Sequence, residues 1–412
     1  MRLYTTVKNN KSISQADIRL KYMESSMDCI SKRACEITPF LVMDILEKAQ
    51  QMEREGRSII HMEIGEPDFD TPECIKKACC KALEKGETHY THSLGIPELR
   101  EAISKYHKDR YSVDVDPGRI IVTQGTSPAM LLLFTFILDQ GDNIIVSDPC
   151  YACYSNFISF AGAEANSITT YEEDGFQFRP EEIAKAINSK TKAILINSPS
   201  NPTGTLLSPE RMAKIAKLGP WIISDEIYHG LVYGEQEHSI LEYTDHAFVL
   251  NGFSKLFAMT GWRLGYLIAP EKYIRPMQKL CQNFFISANS MAQRAGVAAL
   301  TESWDDVNRI KDIYDTRRKF ILKRLREIGF DIKVEPTGAF YVLVNMKHLA
   351  LKFDGSSLKL AFDILEKAGI GVTPGIDFGE GAEGYIRLSY ANSIENLTEG
   401  MNRLEKYVKE NS

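Results

Sequence analysis

The sequence is poor in cysteine, with 8 in 412 residues, which excludes the disulfide framework that staples small secreted domains. It also lacks long apolar runs. The longest, AMLLLFTFIL from Ala129 to Leu138, falls well short of the ~20 residues a membrane-spanning helix needs. Charge of one sign never accumulates: Lys plus Arg is 49, Asp plus Glu is 55, and the net of −6 is spread along the chain. Neither nucleic acid nor a membrane is therefore an expected partner. The opening residues carry scattered charges in place of the apolar stretch of a secretory signal, so cytoplasmic placement with reduced thiols is expected. Internal repeats and low-complexity tracts are missing too.

What is present is the composition of a globular chain, 44% apolar and 25% charged, at a length suited to one large domain and a smaller one. Residues 1–36 are polar and poorly patterned and read as a loosely attached arm. From Leu41 to Glu55, apolar residues recur at spacings of three and four, the pattern of an amphipathic helix, closed by Gly56. Further helices are expected at 73–85, 97–108 and 127–138. From residue 119 onward the short apolar runs RIIVTQ, NIIVSD, KAILINS, WIISDEI, FVLNGFS and WRLGYLIA alternate with helical stretches. Such runs suit strands covered on both faces, and the alternation favours a mostly parallel sheet in an α/β domain. A helical region at 271–327 leads to a compact α+β set holding FYVLVN, a helix from Ser356 to Ala368, GIGVTP and YIRLSY.

Several motifs carry chemical possibilities. GEGAEG, Gly379 to Gly384, matches the dinucleotide fingerprint in letters, but a strand follows it where a helix is required, so a flexible loop is expected. Cys150 and Cys153 have C-x-x-C spacing, yet no second pair completes a zinc site; ordinary thiols and no metal centre are expected. In VTQGTSPAM a strand runs into Gly125, Thr126 and Ser127 and then a helix, which offers amides and hydroxyls to an anion. Gly125 as a plain turn and Ser127 as an N-cap is the blander alternative. SPSNPTG places Asn201 beyond the strand KAILIN, where open parallel sheets put their ligands. SDEIY places Asp225 and Glu226 at the end of a buried strand, where a carboxylate needs a positive partner unless it caps a helix. Lys255, set among Phe253, Leu256, Phe257 and Met259, is either desolvated into a neutral nucleophilic amine or snorkels to the surface.

Taken in order, GEPDFDTP at Gly65, YTHSLGIPELR at Tyr90, the Gly125 turn, NPTG at Asn201, SDEIY at Ser224, SKLFAMTGWRLGY at Ser254 and YIRLSY at Tyr385 resemble the class I/II aminotransferases. These are pyridoxal-phosphate enzymes of fold type I, built like aspartate aminotransferase. The resemblance implies a seven-stranded, mostly parallel sheet between helices in a large domain, 66–304. It implies a small α+β domain from 37–65 and 305–412. Lys255 matches the lysine that joins the cofactor as an imine and acts as general base, and Asp225 the aspartate that pairs with the ring nitrogen. Tyr228 and Asn201 match the groups that hydrogen-bond the ring's phenolic oxygen, and Tyr151 the aromatic on the ring face. Gly125, Thr126, Ser127 and Arg263 fall at phosphate-binding positions, and Ser254, next to Lys255, counts among the cofactor-binding residues. Tyr90 matches a tyrosine that reaches the neighbouring subunit's cofactor, which implies a homodimer. Arg387 matches the clamp on the substrate α-carboxylate, with Asn201 and the Gly65 backbone beside it. One departure stands out: a serine often found three residues before the lysine is Gly252 here.

The implied activity is a ping-pong transfer of an amino group between an L-amino acid and a 2-oxo acid, with 2-oxoglutarate as one partner. A β-lyase acting on sulfur amino acids shares the same scaffold. An effector-sensing regulator built on such a domain carries an added winged-helix segment, for which residues 1–36 are too short and too weakly basic. Side-chain specificity is expected to come from residues around Ile37, Phe40, Tyr90 and His92.

Overall fold

The computed structural model describes residues 31–411; of the expected arm, residues 1–30 lie outside them. The strands, in chain order, are β1 (Ile60–His61), β2 (Ile120–Thr123), β3 (Asn143–Asp148), β4 (Glu164–Thr169), β5 (Thr191–Asn197) and β6 (Trp221–Asp225). They continue with β7 (Ala247–Gly252), β8 (Gly265–Ile268), β9 (Tyr341–Asn345), β10 (Ile370–Gly371), β11 (Thr373–Pro374) and β12 (Tyr385–Ser389).

Seven of these form one sheet in the order β2-β8-β7-β6-β5-β3-β4. Only β8 runs antiparallel to its neighbours. Successive side chains of a strand point to opposite faces, and both faces here are covered. Ile145, Ile194, Ile222 and Val249 join one core cluster, whereas Ile144, Leu195, Ile223 and Leu250 join another on the opposite side. Two-sided burial is what made these runs near-continuous in Ile, Val and Leu. Helices Thr126–Ile137, Cys153–Phe160 and Glu271–Phe284 contribute to the second cluster, and Pro97–Tyr111 and Ser290–Glu302 to the first. A three-stranded antiparallel sheet, β11-β12-β9, and the parallel pair β1-β10 lie beyond it.

Three expectations change. The polar strand β4, EANSIT, was not among the expected runs; it sits at the sheet edge and buries little, so it carries no apolar signature. The helical region 271–327 resolves into Glu271–Phe284, Ser290–Glu302 and Trp304–Ile328. GEGAEG is no flexible loop: it contains a 3-10 turn, Glu380–Ala382, and Gly381 N–H donates to Asp148 Oδ1 at 2.9 Å. A Cβ at Gly379, where φ is +124°, would lie 2.2 Å from that same oxygen. The glycines therefore serve close approach to the end of β3.

The departure at Gly252 also has a steric basis. Gly252 pairs with Gly265 across β7 and β8, and a Cβ at 252 would sit 3.1 Å from both Gly265 Cα and Leu264 O. Among the described residues no helix is long and apolar enough to cross a membrane.

Candidate active site

The register of β5 and β6 pairs Asn197 with Asp225, so the two carboxyl ends of these strands open side by side onto a cleft of about 350 Å³. Loops after β2, β3, β5, β6 and β7 deliver Thr126 and Ser127, Tyr151, Asn201, Tyr228, and Ser254 with Lys255 and Arg263 to the same cleft. Gly65 and Arg387 complete it from the other side. Nearly every residue singled out from the sequence is thus brought together. Gly125 adjoins it through backbone: its φ is +99°, and a Cβ there would meet Arg263 Nη2 at 2.8 Å. Tyr90 stands outside this cleft and is 81% exposed, Ile37 and His92 are not in its lining either, and Glu226 is buried elsewhere, accepting from Ser224, Ser239 and Ile240 N–H.

Asp225 is 3% exposed. Tyr154 Oη donates to its Oδ2 at 2.6 Å and Ile227 N–H to its Oδ1 at 3.2 Å. Burial pushes this carboxyl up to about 6, against the pull of those two donors and of the Lys255 charge. Two hydrogen bonds leave a buried carboxylate short of compensation, so the pocket is built to receive a cationic group.

Lys255 Nζ donates to Gly65 O at 2.6 Å. Burial lowers its amine from 10.5 to about 8; Glu66 and Asp225 oppose the change, while Arg387 and Arg263 assist it. Lys255 does not snorkel to the surface: half-buried, it lines the cleft with its Nζ held on the Gly65 carbonyl. Tyr228 Oη shares a 2.8 Å hydrogen bond with Tyr341 Oη.

Arg387 is 3% exposed and sits on β12. Its Nη1 donates to Asn201 Oδ1 at 2.9 Å, and its Nη2 to Glu63 O at 2.5 Å and Thr373 Oγ1 at 3.0 Å. The guanidinium stacks 4.3 Å from the Tyr341 ring centre and 4.9 Å from that of Phe378. Among the described residues its buried Nε has no hydrogen-bond partner, which leaves a donor for an incoming carboxylate. Gly65 must be glycine here, because a Cβ would come within 2.2 Å of Tyr341 Oη.

Tyr154, Tyr341, Thr373 and the carbonyl of Glu63 escaped the sequence reading. Tyr154 and Tyr341 lie in apolar stretches that read equally well as core, and Thr373 and Glu63 act through partners far away in the chain. Cys150 is buried, with its thiol pushed up to about 12 by desolvation, and both Cys150 and Cys153 are free.

These groups match the needs of pyridoxal phosphate. The undercompensated Asp225 suits a protonated ring nitrogen, the lowered amine of Lys255 suits an aldehyde, and the open amides at the start of helix Thr126–Ile137 beside Arg263 suit a phosphate. Fold and cleft together define a cofactor-dependent enzyme of amino-acid chemistry.

Comparison with known proteins narrows the class. The profile of the family described as "Aminotransferase class I and II" matches residues 57–404. A (5-formylfuran-3-yl)methyl phosphate transaminase of Methanocaldococcus jannaschii is 42% identical over 383 residues, covering 92% of this chain and 99% of that relative. An aspartate aminotransferase of Pyrococcus horikoshii is 40% identical over 389 residues, covering 92% and 97%. Among solved structures, aspartate aminotransferase from Thermus thermophilus with maleate is similar with a TM-score of 0.88 at 37% identity, over 92% of this chain and 100% of that one. The chain belongs to the class I and II aminotransferase family. It is a pyridoxal-phosphate-dependent aminotransferase with an aspartate-aminotransferase-like fold.

Proposed function

We propose that this enzyme moves the amino group of an L-amino acid to a 2-oxo acid, with 2-oxoglutarate as one partner, in two half-reactions that share a single cleft. The observation that carries this reading is the opposition of Lys255 and Arg387. Both are held by backbone carbonyls of one short segment, at Gly65 and Glu63, and both face the buried Asp225. Such an arrangement holds an α-amino acid by its carboxylate while a base waits near Cα.

When bound, pyridoxal phosphate supplies an aldehyde that condenses with amines and a ring that accepts the electrons of a broken Cα–H bond. Asp225 would pair with the ring nitrogen and keep it protonated, Tyr228 and Asn201 would hydrogen-bond the phenolic oxygen, and Tyr151 would lie on the ring. Gly125, Thr126, Ser127 and Arg263 would hold the phosphate, with Ser254 beside Lys255 as a further cofactor contact. Arg387 fixes the substrate carboxylate with its planar fork, which sets the direction of the Cα–H bond. Lys255 Nζ, freed from other duties, accepts the Cα proton. Tyr90, exposed and outside the lining of its own chain's cleft, suits a contact with the neighbouring site of a homodimer. Residues 37–65 with 305–412 form the unit that carries Arg387, and it closes on the unit 66–304 that carries Lys255. Small-angle scattering showing compaction with a saturating substrate analogue checks that closure.

A panel of amino donors with 2-oxoglutarate, read through the absorbance change of the bound cofactor and the 2-oxo acid formed, tests the function. Release of pyruvate and ammonia from cystathionine without any oxo-acid acceptor would assign the chain to the β-lyases instead.

A further inference from the structure

Helix Leu41–Arg54 begins without a cap of its own: its N-cap residue, Phe40, makes no side-chain hydrogen bond there. The helix's first amides are instead met by a carboxylate from a distant part of the chain. Leu41 N–H donates to Asp377 Oδ1 at 2.9 Å and Val42 N–H to Asp377 Oδ2 at 3.2 Å. Asp377 is 8% exposed and belongs to the 3-10 turn Gly375–Phe378. Burial pushes its carboxyl up to about 6, and the two amides pull it back down, so at neutral pH the cap is a charged one.

The turn is anchored on both sides. Ile376 N–H donates to Ser357 Oγ at 3.1 Å, and Phe378 O accepts from Cys150 N–H at 2.9 Å. Phe378 itself lies against the Arg387 guanidinium. The residues at the capped helix start are Phe40, Val42, Met43 and Leu46, which form an apolar wall of the cleft. Phe40 meets the Tyr151 ring edge-on, with centres 6.2 Å apart. The segment just before it is tethered at Thr38, whose N–H and Oγ1 donate to Asn156 Oδ1 and whose carbonyl accepts from Asn156 Nδ2.

We propose that Asp377 is a positioning residue for side-chain specificity: by capping the helix that carries the apolar wall, it ties that wall to the turn that packs on Arg387. Wall and carboxylate clamp then keep a fixed offset, and the substrate side chain is read against Phe40, Val42, Met43 and Leu46 at the distance the cap sets. Substrates whose side chains reach the wall depend on Asp377, and those too short to reach it do not. The kinetic part of this inference rests on the aminotransferase reading; the structural part stands without it.

Hydrogen–deuterium exchange on the cofactor-loaded protein tests the structural part, with wild type compared against D377N and D377A. Loss of an N-terminal cap is worth about 1 kcal/mol, so the peptide covering 37–46 exchanges about fivefold faster in D377A, with D377N, which keeps one good acceptor, in between. Kinetics test the rest. For the largest apolar amino donor that turns over, KM rises about fivefold or more in D377A with kcat unchanged, D377N recovers part of the loss, and the smallest donor shifts less than about twofold. Unchanged exchange in both variants overturns the cap. An equal loss for large and small donors, or a fall in kcat at constant KM, overturns the specificity role. Failure of every donor to react would count against the aminotransferase reading alone, since the exchange result is independent of it.

Discussion

The most direct consequence of the cleft's electrostatics concerns the amine of Lys255, which burial brings from 10.5 to about 8. At pH 7 an amine with a pKa of about 8 is roughly one-tenth neutral, whereas one at 10.5 is roughly 0.03% neutral, a difference of about 300-fold in nucleophilic form. The perturbation is pH itself, applied to the cofactor-free protein. Reductive methylation with formaldehyde and borohydride, quantified by mass spectrometry on the peptide holding Lys255, reads the neutral fraction at that residue. Its labelling rate is expected to climb with pH and level off above about 8. Among the neighbours, the Glu66 carboxylate opposes the shift and the Arg387 charge assists it. E66Q therefore moves the inflection down and R387A moves it up. The linkage sign follows: between about 8 and 10.5 the unfolded chain binds a proton that the folded chain has lost, so this group adds stability as pH rises through that window. An inflection for Lys255 at the value of an exposed lysine, or shifts of the opposite sign in the two variants, would refute the reasoning.

Four more outcomes are expected. D225N abolishes transamination yet raises the urea stability of the cofactor-free protein at pH 7.5, because the folded carboxyl titrates at about 6 against a usual 3.8. The gain is at most about 3 kcal/mol, and it vanishes below pH 3.8, where both states are protonated. Y154F removes the 2.6 Å hydrogen bond to Asp225 and weakens cofactor affinity about tenfold in equilibrium dialysis, the scale of losing one hydrogen bond to a buried charge. R387K keeps the charge but loses the fork that reaches Asn201, Glu63 O and Thr373, and raises KM for amino acids by about 30-fold or more, with a smaller effect on cofactor binding. G379A places a methyl group against Asp148 at a positive φ and lowers unfolding free energy by about 1–3 kcal/mol in urea titrations.

Much of the fold could be read directly, because strands buried on both faces leave no polar alternation to blur them: KAILINS and WIISDEI became β5 and β6 with their ends where expected. The edge strand β4 could not be read, since EANSIT has no buried face to advertise it. In the cleft, Lys255 and Asp225 stood out because a charge inside an apolar run is costly and so calls for an explanation. Tyr154 and Tyr341 gave no such signal. An aromatic hydroxyl costs little to bury once it has one partner, and that partner, Asp225 or Tyr228, is close only after folding. Asp377 was hidden for a related reason: its two amide partners come from a helix start 336 and 335 residues earlier in the chain.

The carbonyls of Glu63 and Gly65 accept from Arg387 and Lys255 respectively, so the two main-chain acceptors that hold the acid-gripping fork and the proton-carrying amine stand two residues apart, at most about 7 Å from one α-carbon to the other. A ruler made of backbone cannot be lengthened by exchanging side chains. Descendants of this sequence are therefore free to diversify what hangs from the α-carbon, while the α-amino acid skeleton itself stays a gauge that mutation leaves alone.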